Sequence, residues 1–149
     1  ACTMAFSCDM VVASEDATFG YPGVPNLAAP PGMHVWHLQR LLGRMKAAWL
    51  ILSGEPMTAI EADRGGLLTA VVPTGSLMES VTAMALKLSA LSPRALRDTR
   101  ALMYRMECMD FDEVPEAAAA AISSAFDTPD SREARLAFLE KRPPRWEDA

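Results

Sequence analysis

His34 and His37, the only histidines in 149 residues, stand three apart in Met33-His34-Val35-Trp36-His37-Leu38. On a helix that spacing puts both imidazoles on one face, as two metal ligands or as a base with a partner. No third ligand is evident, so no metal is assigned. His34 is kept as a candidate acid or base, beside the plainer reading of a half-buried imidazole next to Trp36 or at a subunit contact. Thr3 and Asn26 are two further candidates, able to orient a water or a carbonyl, although such residues more often satisfy backbone groups. Cys2, Cys8 and Cys108 are too few for a disulfide framework and lack the Cys/His spacing of structural zinc, so they read as reduced, buried thiols.

These residues need elements to position them. Met10 to Ala13 is a short β-branched run closed by the turn signal Ser14-Glu15-Asp16, and Thr18 to Tyr21 is extended again. Pro22 to Pro31 holds four prolines and is expected to be a shaped loop, not helix. Pro31 is expected to open a helix through Leu42, and Arg44 to Leu52 a second one stopped at Gly54. Thr58-Ala59-Ile60-Glu61 is a capping box for a short helix to Arg64, and Leu67 to Val72 an apolar strand. Beyond Gly75 the chain reads as helical, with starts at Ser92-Pro93 and Thr128-Pro129, an acidic cap at Asp110 and a stop at Pro143-Pro144.

The length suffices for one domain with a real core. Half of the residues are hydrophobic and 22% are charged, which excludes disorder, and no apolar stretch is long enough to span a bilayer. A net charge of −5 argues against a nucleic-acid surface. With no signal-peptide pattern, a cytoplasmic or organelle-matrix location is expected. Ala1 to Cys8 opens on small apolar residues suited to the interior of a domain, so the chain is expected to be the later part of a longer protein.

Four blocks together resemble the enoyl-CoA hydratase/isomerase (crotonase) family across essentially the whole chain. They are Asp16-Ala17-Thr18-Phe19-Gly20-Tyr21-Pro22, then Gly54-Glu55-Pro56-Met57-Thr58-Ala59 with Glu61-Ala62 and Gly66-Leu67, then Val71-Val72-Pro73, and Phe138 to Pro144. The resemblance implies an α/β fold, the C-terminal portion of a crotonase-like ββα spiral with a helical trimerisation region. Residues 1–75 would be the later part of the core, and 76–149 the C-terminal oligomerisation region of a homotrimer or dimer of trimers. It implies a coenzyme A thioester as substrate or ligand, with no tightly bound cofactor, and an N-terminal portion of the same protein as a partner in the fold.

The resemblance also assigns residues. Ala1 and Cys2 would lie at the oxyanion hole, where backbone amides meet a thioester oxygen as it gains charge. Thr3 and Gly23 occupy the two positions where hydratases of the family carry catalytic carboxylates, and neither can accept a proton as a carboxylate does. Lys141 matches a lysine that meets CoA phosphate, a task suited to a flexible ammonium, or else it is a solvated cation at a helix C-terminus. Ile122 replaces an aromatic residue that some relatives place near the same ligand. Three readings follow: an acyl-CoA protein with atypical lyase or hydrolase chemistry, a non-catalytic assembly or acyl-CoA-binding subunit, or a true hydratase or isomerase whose carboxylate lies outside this chain.

Overall fold

A computed structural model describes residues 2–29 and 32–147, the side chain of His34 excepted. The chain forms two compact units, one ending at residue 83 and the other beginning at residue 84. Ala1 and the expected helix start at Pro31 lie outside the described residues. No helix among those described is long and apolar enough to cross a membrane.

The first unit contains α1 (Cys2–Ala5), β1 (Val12–Ser14), β2 (Thr18–Phe19), α2 (Gly23–Leu27), α3 (Met33–Leu42), α4 (Arg44–Ser53), β3 (Met57–Thr58), α5 (Ala59–Arg64) and β4 (Ala70–Val72). Strand β1 pairs in parallel with β4, Val12 opposite Ala70 and Ser14 opposite Val72. Strand β2 pairs antiparallel with β3, Thr18 opposite Thr58 and Phe19 opposite Met57. The chain therefore changes sheets at the Glu15–Asp16 turn. There the amide of Glu15 donates to Val72 O at 2.9 Å, and its carboxylate accepts from the amide of Thr74 at 3.2 Å.

Helix α5 connects the two sheets, and its start is fixed locally. Thr58 Oγ1 accepts from the Glu61 amide at 3.2 Å, while Glu61 Oε2 accepts from the Thr58 amide at 2.8 Å, completing the capping box. Beneath it, Phe6, Ala13, Phe19, Leu38, Ala47, Leu50, Ile51, Ala59, Ala62 and Leu67 form one buried cluster. The rings of Phe6 and Phe19 lie 5.3 Å apart, and Leu38 is fully buried. Burying one such side chain contributes about 1.5–3 kcal/mol.

Four expectations are corrected here. The proline-rich segment contains a helix, α2, because Pro22 is its cap and Pro25 its third residue, where no intrahelical amide is needed. The chain start does not lie in the interior as its small apolar residues suggest: α1 has four residues, Thr3 and Met4 are exposed, and Phe6 beyond its end enters the core. The strand expected from Leu67 is confined to Ala70–Val72, because Leu67 and Leu68 form the exit from α5. Cys8 and Cys108 are exposed and Cys2 is half-buried, so the thiols are not core residues.

Helix α6 (Leu77–Ser89) leads into the second unit, which contains α7 (Pro93–Glu107), a 3-10 turn (Phe111–Glu113), α8 (Val114–Phe126) and α9 (Pro129–Glu140). Ser92 Oγ caps α7 by accepting from the Ala95 amide at 2.9 Å, and donates to the buried carboxylate of Asp130 in the first turn of α9. One hydroxyl thus fixes two helix starts. Asp110 does not cap through its side chain as expected, since its own carbonyl takes the Glu113 amide at 3.0 Å and tightens the chain into the 3-10 turn. After α9 the chain is tied down by Glu133, which accepts from Arg142 Nη2 at 3.1 Å and from the Arg145 amide at 2.6 Å. Trp146 Nε1 donates to Ala90 O at 2.9 Å.

Candidate functional site

Cys2, Thr3, Gly20, Tyr21, Pro22, Gly23, Asn26 and Leu27 line an open cavity of about 380 Å³ in the first unit. Helix α1 supplies Cys2 and Thr3, the segment leaving β2 supplies Gly20 to Pro22, and α2 supplies Gly23, Asn26 and Leu27. Its mouth is wet: Thr3, Asn26 and Leu27 are exposed.

Packing against the end of α4 fixes the position of α2. Gly54 caps α4 in the left-handed conformation, φ +70°, and a Cβ built there would lie 2.6 Å from Pro25 Cγ and 3.4 Å from Tyr21 O. The absence of a side chain at Gly54 lets α2 and the Tyr21 backbone close in. On the neighbouring side, a Cβ at Gly20 would meet Pro56 Cβ at 3.3 Å, so the strand end and the Glu55-Pro56 turn also approach closely. The first two sequence blocks are thus two sides of one packing contact.

Inside the cavity the hydroxyls of Thr3 and Tyr21 share a hydrogen bond of 2.8 Å. Thr3 is held from behind, its carbonyl accepting from Ser7 Oγ at 2.8 Å. Asn26 contributes an amide from the outer face of α2, whose start is closed by the Asn26 amide donating to Pro22 O at 3.0 Å. No carboxylate or imidazole lines the cavity among the described residues. The site offers hydroxyl, thiol and amide groups around an uncharged hollow, an arrangement suited to hydrogen-bonding a carbonyl.

Of the residues singled out in sequence, Cys2, Thr3, Gly23 and Asn26 are brought together around this one cavity. His34 lies on α3, and its side chain is outside the described residues; His37 packs edge-on against Trp36, ring centroids 4.8 Å apart. Lys141 belongs to the second unit, where it ends α9 in the left-handed conformation at φ 54°. Ala1 is outside the described residues. Tyr21 went unrecognised as a chemical group. Its only signal in sequence was its place two residues before Gly23, and its contact with Thr3 arises from the fold.

The fold is a mixed α/β one with an open cavity beside its core, and comparison with known proteins fixes the family. The Enoyl-CoA hydratase/isomerase family matches residues 1–149. The chain is 36% identical over 143 residues to the short-chain-enoyl-CoA hydratase of Clostridium acetobutylicum, covering 95% of this chain and 54% of that protein. It is 33% identical over 145 residues to rat enoyl-CoA hydratase domain-containing protein 3, mitochondrial, covering 97% of this chain and 48% of that one. The crystal structure of an enoyl-CoA hydratase from Bacillus anthracis superposes with a TM-score of 0.92 at 30% identity, over 99% of this chain and 57% of that one. This chain belongs to the enoyl-CoA hydratase/isomerase family and has the crotonase fold. It spans about half the length of the curated relatives it matches.

Proposed function

We propose that the protein binds an acyl-CoA and acts on it by atypical lyase or hydrolase chemistry in place of ordinary enoyl-CoA hydration. The observation carrying this reading is the cavity itself: Thr3 and Gly23 face the same hollow with no carboxylate among its described lining. Addition of water to a double bond needs a group that takes a proton from water and another that delivers one to carbon. A threonine hydroxyl and a glycine do neither, whereas both leave room for a thioester held by Cys2, Thr3 and Asn26. The family resemblance adds an oxyanion hole formed by backbone amides at Ala1 and Cys2, and Lys141 as a contact for CoA phosphate.

The same missing carboxylates favour a second reading, a non-catalytic subunit that retains binding or assembly. Exposed Phe111, Ile122, Phe126, Phe138 and Leu139 in the second unit support its role as an oligomerisation region, in a homotrimer or dimer of trimers. We place the protein in the cytoplasm or an organelle matrix, the rat relative being mitochondrial by name.

The experiment is calorimetric titration of the intact protein with crotonyl-CoA and butyryl-CoA, followed by chromatography of the esters after incubation. Binding is expected, with hydration of crotonyl-CoA far below the roughly 10 per second of a median enzyme. Hydration at that rate would refute the atypical reading. Binding without turnover of any CoA ester in a panel would select the silent subunit, and failure to bind would remove both.

A further inference from the structure

Among the described residues, two side chains lining the cavity carry a proton on an acidic heteroatom, the thiol of Cys2 and the phenol of Tyr21. The phenol is the one whose oxygen is held, by the 2.8 Å hydrogen bond to Thr3 Oγ1. Thr3 is itself anchored through α1, where Ser7 Oγ donates to its carbonyl at 2.8 Å. The Tyr21 backbone runs close to Gly54, its carbonyl 3.4 Å from a Cβ built there, so Thr3 is held by a hydrogen bond and Tyr21 by its neighbours in the chain's fold. Gly23 lines the same cavity and brings no side chain into it.

We infer that Tyr21 is the proton-handling group of this cavity and Thr3 its positioning residue. This rests on the acyl-CoA reading above. A phenol both donates and accepts, and the neighbouring hydroxyl can accept from the phenol or donate to the phenolate. In protonation of a thioester enolate, the enolate electron pair forms the new C–H bond at the α-carbon. The phenolic O–H bond breaks, and the phenolate, steadied by Thr3, takes a proton back from water at the open mouth. The reverse sequence removes an α-proton and leaves the enolate.

The test reads this step whatever overall reaction the protein performs. The intact protein is incubated with butyryl-CoA in deuterium oxide, and exchange at the α-carbon is followed by mass spectrometry alongside calorimetric affinity. Wild type is expected to exchange the α-hydrogens. Tyr21→Phe should slow exchange by about 100-fold or more, the scale of a lost general acid-base group, with affinity unchanged. Thr3→Val should slow it by roughly 10-fold, as for one lost hydrogen bond, and Thr3→Ser should restore it, a rescue that mere packing would not give. Wild-type exchange in Tyr21→Phe, or binding without exchange in wild type, would overturn the assignment while leaving acyl-CoA binding standing. Failure of wild type to bind butyryl-CoA and crotonyl-CoA would overturn both.

Discussion

Replacing Gly54 by alanine is expected to damage the protein in two separable ways. The backbone there has φ +70°, a left-handed conformation that costs a residue with a Cβ about 1–2 kcal/mol. The new methyl would also lie 2.6 Å from Pro25 Cγ and 3.1 Å from Pro25 Cδ. A pyrrolidine ring cannot rotate away, so α2 must move as a body, and overpacking of this kind costs about 1–3 kcal/mol. The sum is about 2–5 kcal/mol. Gly66 supplies the internal control: its φ is +82°, but nothing lies within 4 Å of a Cβ built there, so Gly66→Ala should cost only the conformational part, about 1–2 kcal/mol. Urea unfolding of both variants of the intact protein measures the difference. Because α2 carries Gly23 and Asn26, Gly54→Ala should also weaken butyryl-CoA binding in the fraction that remains folded, and Gly66→Ala should not. Equal stability loss in the two variants would refute the claim that close packing against Pro25 sets the cavity wall.

Three further outcomes follow from the second unit. Ser92→Ala removes the cap of α7 and leaves the buried Asp130 carboxylate without its hydroxyl donor, which together should cost about 2–4 kcal/mol in denaturant unfolding; a loss below about 1 kcal/mol would show that the two helix starts are not joined through this residue. Arg142 and the Arg145 amide hold the Glu133 carboxyl down to about 2 from an ordinary 4.5, so the anchorage it gives the C-terminal segment is complete above about pH 4.5 and is lost as pH falls toward 2. Trp146 fluorescence, taken as the difference from Trp146→Phe, should change within that window, and Glu133→Gln should abolish the transition. Lys141 ends α9 at φ 54°, where glycine is less strained by about 1 kcal/mol, so Lys141→Gly should keep or raise stability while weakening CoA-thioester binding severalfold, and unchanged affinity would return Lys141 to the solvated surface.

What was legible in the sequence was whatever closes within a few residues. The capping box from Thr58 to Glu61 can be read from four letters because both of its hydrogen bonds stay inside them. The starts at Ser92-Pro93 and Thr128-Pro129 are legible for the same reason, each hydroxyl accepting an amide three residues on. Helix α2 is not legible from its prolines, which break helices elsewhere, whereas at a cap and in a first turn their missing amides are harmless. Strand β3 is not legible locally because two residues become a strand only through Thr18 and Phe19, far back in the chain. In the cavity, Thr3, Gly23 and Asn26 could be named one by one, but the bond from Thr3 to Tyr21 joins residues 18 apart and depends on how β2 leads into α2.

The resemblance that names the family and the chemistry that would name the reaction reside in different residues. Gly54, Pro56 and Thr58 serve packing and capping: Gly54 admits Pro25, Pro56 meets Gly20, and Thr58 starts α5 while pairing with Thr18. Each of these duties is discharged by backbone conformation or by a contact outside the cavity. They hold the end of β2 and α2 beside the hollow whatever side chains face into it. Thr3 and Gly23 line the hollow and take no part in that supporting frame. A chain of this family can therefore keep the packing of such a cavity wall while the side chains lining it vary, and the fold is a firmer guide to what is held there than to what is done to it.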